Sequence, residues 1–312
     1  NYEVSFLKGK NRAVERNPGL GEEIAFHGAR GEILISPSDK TGNDFRSKGR
    51  ISYVNDHYLR HEGTGEIFLK AGSDSPENFL AYHEFDGTYY GGDGERRLNE
   101  AMPNQTLHRY APHIEDWNED DPTWKDGKLG KGIIGALNYL RSKGINSQYM
   151  LTNNVNGDGQ DVFPWIKYDS DFTRFDVSKM AQWEIVFSHM EKIGMMCHFV
   201  TQETENELLL DSGNVGLKRK LYYRELIARF SHHLGVTWNL GEENGVAPWI
   251  GTGQNDRQRK DMSKYIKEID PYDNFVVVHT LPNPDLRDDI LTKLLGFPFL
   301  DGPSLQLSLI HI

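Results

Sequence analysis

A single cysteine, Cys197, stands in the 312-residue chain, and an internal disulfide is therefore excluded. It lies in the apolar stretch Met195–Val200, where a thiol serves as a small buried hydrophobe. Such sparing use of cysteine fits the cytosol and equally a bacterial secreted enzyme that relies on its core. Runs of about 18 apolar residues are missing, which excludes a membrane-crossing helix. Positive charge is in deficit, with 35 Lys and Arg against 46 Asp and Glu for a net charge of −11. A surface of that sign repels polyanions and anionic lipid, so neither nucleic acid nor a membrane is an expected partner. No strand runs into a Gly-x-Gly-x-x-Gly turn, and Gly72-Ser73-Asp74 does not supply one, which argues against a dinucleotide-binding sheet. A His-x-His pair after the first strand is also missing, which weakens a metal-dependent hydrolase reading. No cofactor and no metal are expected.

What is present changes in texture near residue 65. Residues 1–64 hold short strand candidates, Glu3–Phe6, Glu32–Ile35 and Gly49–Tyr53, among Gly, Pro, Asn and Asp clusters. This reads as a partial β-rich module, short of the about 100 residues of a full sandwich. Residues 65–306 alternate strand and helix. Strands are expected at Ile67–Ala71, Ile145–Leu151, Met195–Val200, Val236–Leu240, Phe275–His279 and Phe299–Leu300. Helices are expected at Ile133–Leu140, Asp176–Ile193, Lys218–His233, Arg257–Ile269 and Asp285–Leu295, most of them closed by Gly or Pro. The aromatic stretch from Tyr82 to Lys128 is too rich in Trp and Tyr to be disordered. Alternation of this kind means a parallel sheet with helical crossovers.

Carboxylates, amides and histidines recur at the C-terminal ends of at least four of these strands, the pattern of a barrel mouth. The expected fold is therefore a (β/α)8 TIM barrel behind the small β-rich module. Six of its eight strands can be placed, so the remaining two are expected beyond Gln306. The final residues 307–312, Leu-Ser-Leu-Ile-His-Ile, read as the translation of a transposon-library sequencing adapter and are set apart from the fold.

The stretch Val236-Thr237-Trp238-Asn239-Leu240-Gly241-Glu242-Glu243-Asn244 begins as a strand and ends in two adjacent carboxylates. A carboxylate where a barrel strand gives way to its loop is well placed for acid/base work on a glycosidic bond. Asn153 and Gln202 end strands and can hydrogen-bond sugar hydroxyls. Glu203 follows the third strand as a sugar-binding group or a pKa partner. His279 ends the fifth. Asp74 and Glu77 end the first. Trp117, Trp124, Trp165 and Trp249 fall in loops where an indole face can stack on a sugar ring. His198, inside a strand, reads as a satisfied core histidine. The acidic loops Asp116–Asp126 and Asp158–Asp161 read as solvated. His232-His233 closes a helix, where a cation suits the dipole, and has no partner at zinc spacing.

Trp238-Asn239-Leu240-Gly241-Glu242-Glu243-Asn244 resembles the fourth-strand segment of the retaining glycosidase clan built on (β/α)8 barrels. The resemblance implies Glu243 as general acid/base, with Glu242 where the clan has the Asn that binds the sugar 2-hydroxyl. A register shifted by one makes Glu242 the acid. The strings Tyr58–Gly65, Phe68–Gly72, Ser75–Leu80, Val200–Asn206, His279-Thr280 and Asp301–Ser304 are similar to a bacterial family of candidate glycoside hydrolases. Its members carry an N-terminal domain of unknown function, a glycosidase-like barrel and often a C-terminal collagen-binding-type domain. The resemblance implies hydrolysis of a polysaccharide or glycan by a retaining two-carboxylate mechanism, in a secreted or periplasmic protein. In the clan the nucleophile follows strand seven, so this stretch of chain is expected to be inactive alone. The alternative is a non-catalytic carbohydrate-binding barrel. Sugar, linkage and oligomeric state are left open.

Overall fold

A computed structural model describes residues 1–15, 17, 20–55, 57–72, 76–91, 107–155 and 160–306. The expectations for Asp74, for Asp158 and for residues 307–312 lie outside the described residues.

The β-branched and aromatic runs of the second part become strands β8 (Ser147–Leu151), β9 (Met196–Val200), β10 (Val236–Asn239), β11 (Phe275–His279) and β12 (Gly302–Ser304). They form one parallel sheet in sequence order, β8 to β12, without reversal. Helix α1 (Lys131–Ser142) leads into β8, and α2 (Val177–Ile193), α3 (Leu217–Phe230), α4 (Asp256–Ile269) and α5 (Pro284–Leu294) make the four crossovers. Their ends follow the residues that cap them. The Asp176 side chain accepts from Lys179 N–H, and Gly194 closes α2 at φ 77°. Asn255 and Gln258 form a reciprocal capping box on α4. Asn283 caps α5 ahead of Pro284 at its first turn.

Strand periodicity sorts the side chains onto two faces. Cys197, Phe199, Trp238, Val276 and Val278 face the helices and join the main core with Trp183, Phe187, Tyr222, Phe230 and Ile266. Burial pushes the Cys197 thiol pKa up, in keeping with a buried apolar role. The Trp238 ring stacks on Phe199 at 5.1 Å, and its Nε1–H donates to Asp270 Oδ2 at 2.8 Å. The opposite face carries Tyr149, His198, Asn239 and His279. On a flat sheet, β8 and β11 would stand roughly 14 Å apart, three strand spacings. The Tyr149 and His279 ring centroids are nevertheless 5.8 Å apart, so the sheet curls into a trough.

The first part contributes short antiparallel pairs. β1 (Tyr2–Glu3) pairs with β4 (Arg30–Gly31), and β2 (Leu7–Lys8) with β3 (Glu22–Glu23). β5 (Ile51–Tyr53), β6 (Leu59–His61) and β7 (Ile67–Phe68) make a three-stranded meander that runs across residue 64. This corrects the first strand: Ile67-Phe68 pairs antiparallel with β6 instead of opening the parallel sheet. The turn through Gly63 and Gly65 folds it back on its neighbour, with Gly65 at φ 72°. Only afterwards does the chain run beside β8, where Asn146 N–H donates to Ala71 O and Leu151 N–H to Glu77 O, both at 2.8 Å. The last strand is also displaced, from Phe299-Leu300 to Gly302–Ser304.

The meander floors the trough. Phe45, Ile51 and Phe68 bury against Met196 at the N-terminal end of β9. A fully buried side chain of this size contributes about 1.5–3 kcal/mol. Arg50 adds charged hydrogen bonds, from Nη1 to His233 O at 2.9 Å and to Asn274 Oδ1 at 3.0 Å. Its Nη2 donates to His232 O at 3.1 Å.

The expected aromatic loop is ordered in its described parts. Tyr82, Phe85 and Trp124 pack together, with Phe85 and Trp124 stacked at 5.4 Å. Among the described residues no helix is long and apolar enough to cross a membrane.

Candidate active site

The C-terminal strand ends converge on one rim of the trough. Beyond β10 the chain turns sharply through Gly241, where a Cβ would stand 2.8 Å from the Gln202 side chain. Glu242 N–H then donates to Gln202 O at 3.0 Å, and Thr204 Oγ1 donates to Glu242 O at 3.1 Å. Glu243 takes a left-handed φ of 38°, a conformation that costs a non-glycine residue about 1–3 kcal/mol. Two bonds to one histidine hold it there. Glu243 N–H donates to His279 Nδ1 at 2.8 Å, and Asn244 N–H to His279 O at 3.0 Å.

This turn separates the two glutamates. Glu242 is half-buried, and its carboxylate meets those of Glu77 and Glu203, oxygens of all three lying within 4.8 Å of one another. Three carboxylates this close cannot all ionise. Burial, then the Glu203 charge, then the Glu77 carboxyl hydrogen-bonded to it, raise the Glu242 pKa well above the usual carboxylate range, and Glu243 adds to the shift. Glu203 is fixed by its own local bonds. Its N–H donates to Asn153 O at 3.1 Å, and its Oε1 accepts from Thr204 N–H at 3.1 Å.

A buried polar network braces the turn from behind. Arg219 Nη1 donates to Gln202 Oε1 at 2.7 Å, and Gln202 Nε2 donates to Gln254 Oε1 at 2.8 Å. The same oxygen accepts from Asn244 Nδ2 at 2.9 Å, and Asn244 Oδ1 accepts from Arg259 Nε at 2.7 Å. Glu207 accepts the backbone N–H groups of Gly245 and Gln254, pinning both ends of the intervening loop. Below the rim, His198 sits with Lys70 Nζ 2.5 Å from its Nδ1 and Asn239 Nδ2 3.1 Å from its Nε2, the satisfied core histidine expected. Burial lowers the Lys70 pKa to about 8.

The predicted residues fall into two groups. Glu242, Glu203, His279 and Asn153 are at the rim, with Asn153 Oδ1 buried and free of a hydrogen-bond partner. Glu243 is buried beside them. The Gln202 amide is instead spent on Arg219 and Gln254, so it braces the turn. Trp165 is fully buried against Phe172 and Tyr222 and offers no open face. Trp124 is likewise buried, and Trp117 carries Lys131 Nζ over its ring at 4.0 Å. Trp249 alone of the four loop tryptophans is substantially exposed, at 40%. Asp161, expected on a solvated loop, is buried against Asn78 Nδ2, and burial raises its pKa to about 6. Glu77 had no assigned role in the sequence. Its partners lie 126 and 165 residues away, at Glu203 and Glu242, beyond the reach of any local pattern.

No family model matches the chain, and no curated protein matches it. Among solved structures it is similar to a candidate glycoside hydrolase from Bacteroides vulgatus ATCC 8482, at 15% identity and a TM-score of 0.48, covering 82% of this chain and 42% of that one. A protein described as a glycoside hydrolase aligns at 16% identity and a TM-score of 0.46, over 77% of this chain and 43% of that one. A GH5-4 broad-specificity endoglucanase from an uncultured bovine rumen ciliate aligns at 11% identity and a TM-score of 0.40, over 72% of this chain and 56% of that one. The chain thus spans about half the length of these structures or less.

Proposed function

We propose that the chain is the major part of a (β/α)8 barrel glycoside hydrolase, and that Glu242 is its general acid/base. The barrel reading is supported by a parallel sheet whose order follows the sequence and whose inner side chains meet across it. An open doubly wound sheet reverses its strand order at a switch point. The acid/base reading is carried by one observation: the Glu242 carboxyl shares a pocket with Glu77 and Glu203. A general acid must keep its proton near neutral pH, and neighbouring carboxylates with partial burial provide that. Glu243 occupies the strained turn with its N–H tied to His279, which supports a positioning part for it. The register of the clan resemblance is then one residue earlier than expected.

The second carboxylate of a retaining pair is proposed to lie on a later barrel strand, outside the described residues. Glu77 and Glu203 are placed to act on the proton of Glu242. Substrate is proposed to enter over the rim past Trp249, with the Asn153 side-chain oxygen offered to a hydroxyl.

The test is a glycan panel assayed with the full-length gene product, with Glu242→Gln and Glu243→Gln beside the wild type. A general acid contributes typically 10²–10⁴-fold. Loss of about that size in Glu242→Gln alone is expected. Equal or greater loss in Glu243→Gln alone restores the original register, and binding without cleavage by the wild type sinks the enzyme reading.

A further inference from the structure

At the opposite end of the sheet from the glutamate rim, a second cluster of metal-ligating side chains forms where α3 leads towards β10. Glu184 and Glu191 lie on one face of α2, two turns apart, and His232-His233 follow α3. His232 Nε2 is 3.3 Å from Glu184 Oε1, and His233 Nε2 is 3.2 Å from Glu184 Oε2. The three ligand atoms all fall within 4.8 Å of one another. We propose that Glu184, His232 and His233 form a site for a divalent transition-metal ion of the zinc class.

The surroundings support the assignment. Zinc takes histidine nitrogen and carboxylate oxygen ligands at about 2.0–2.2 Å, and the Glu184 carboxylate faces both rings, one oxygen 3.3 Å from His232 Nε2 and the other 3.2 Å from His233 Nε2. The other nitrogen of His233, Nδ1, is 3.5 Å from Glu191 Oε2. Metal-bound histidines regularly pass their second N–H to a carboxylate in this way, which fixes the tautomer and ring orientation. Glu191 is itself held, its Oε2 accepting Leu234 N–H at 2.8 Å. The backbone is also set in advance, because Arg50 grips the carbonyls of both histidines. His233 is buried while His232 is about half exposed and lines a cleft of about 240 Å³, so an ion can reach the cluster from solvent on the His232 side. Two carboxylates balance the charge of a divalent ion, and Arg46 stands beside Glu191 at 4.0 Å without entering the cluster.

The ion would tie α2 to the end of α3, and through Arg50 to the meander beneath the sheet. Spacing along the chain conceals the site, because Glu184 precedes the histidines by 48 residues and sits on another helix.

The purified 312-residue chain, stripped with a chelator, is titrated with Zn²⁺ by calorimetry and with Co²⁺ by visible absorption. One ion per chain is expected, with the absorption of a four-coordinate cobalt site. His232→Gln and Glu184→Gln should each weaken Zn²⁺ binding by about tenfold or more, the low end for loss of a supporting ligand interaction. His232 is exposed enough for its replacement to leave the fold intact, and near-ultraviolet circular dichroism checks this. Glu203→Gln should leave the stoichiometry at one. Failure to bind Zn²⁺ overturns the proposal. So does binding that both cluster variants retain, or that Glu203→Gln removes, since the ion would then sit among the rim carboxylates.

Discussion

Glu243 N–H donates to His279 Nδ1 at 2.8 Å, joining the loop after β10 to the end of β11. An accepting Nδ1 leaves the imidazole proton on Nε2, so His279 is held as the neutral Nε2–H tautomer. The bond therefore supports the left-handed turn at Glu243 and fixes the ring that faces Tyr149. With Glu243 so engaged, the neighbouring Glu242 carboxyl is delivered to Glu77 and Glu203.

The first prediction concerns pH. On the proposed role Glu242 is active while protonated, so activity should fall as pH rises through its pKa. Burial raises that pKa, and the Glu203 charge and the Glu77 carboxyl hydrogen-bonded to it raise it further. Glu203→Gln removes that charge and should move the alkaline limb of the kcat/KM profile to lower pH, with Glu77→Gln acting in the same direction. Profiles that keep the wild-type limb in both variants would separate Glu242 from the titration that governs the rate.

Trp165 and Trp249 should behave oppositely when changed to alanine. Trp165 is fully buried, and removal of such a side chain costs about 3–5 kcal/mol of stability. Trp249 is exposed, so its loss should leave the melting temperature nearly unchanged. Glycan affinity should instead drop roughly twofold to tenfold, the size of a typical aromatic contact of about 0.5–1.5 kcal/mol. Thermal melts and binding isotherms on the same two proteins decide this.

Gln254→Ala tests the brace. Its side-chain oxygen takes bonds from both Gln202 and Asn244. Their donors would be left buried and unpaired, at about 1–3 kcal/mol each. Denaturant unfolding should register that loss, and turnover should fall with it as the Gly241–Asn244 turn relaxes. A variant of wild-type stability would mean that water replaces the amide.

Arg50→Ala tests the floor. The guanidinium bonds three carbonyls around the histidine pair and the Asn274 side chain. Hydrogen bonds to charged groups contribute about 1.5–3 kcal/mol, so a loss of that order in the urea midpoint is expected. Arg50→Lys should recover only part, since an ammonium lacks the planar fork.

The parallel strands and their crossover helices were legible because glycine and proline punctuate them. Phe275–His279 matches the expected bounds, and α2 begins at the residue after its Asp176 cap. Hydrophobic runs do not reveal a strand's partner, which is why Ile67-Phe68 reads as a parallel strand yet pairs antiparallel in the meander. Gly302-Pro303 does not look like a strand, because both residues are depleted in strands. At the rim, residue types showed which carboxylates gather at strand ends. Which of them meet depends on the Glu243 turn and on partners such as Arg219 and Gln254, none of which a local pattern encodes.

The floor of Phe45, Ile51 and Phe68 has a bearing on synthesis. Chains leave the ribosome from the N-terminus at about 5–20 residues per second. The foundation thus emerges seconds before Met196, the side chain that stands on it. Each parallel strand must wait for a neighbour that is translated later, and such delayed pairing exposes strand edges. A meander closed by local hairpins needs no such wait. It can offer the arriving strands an apolar seat as they emerge.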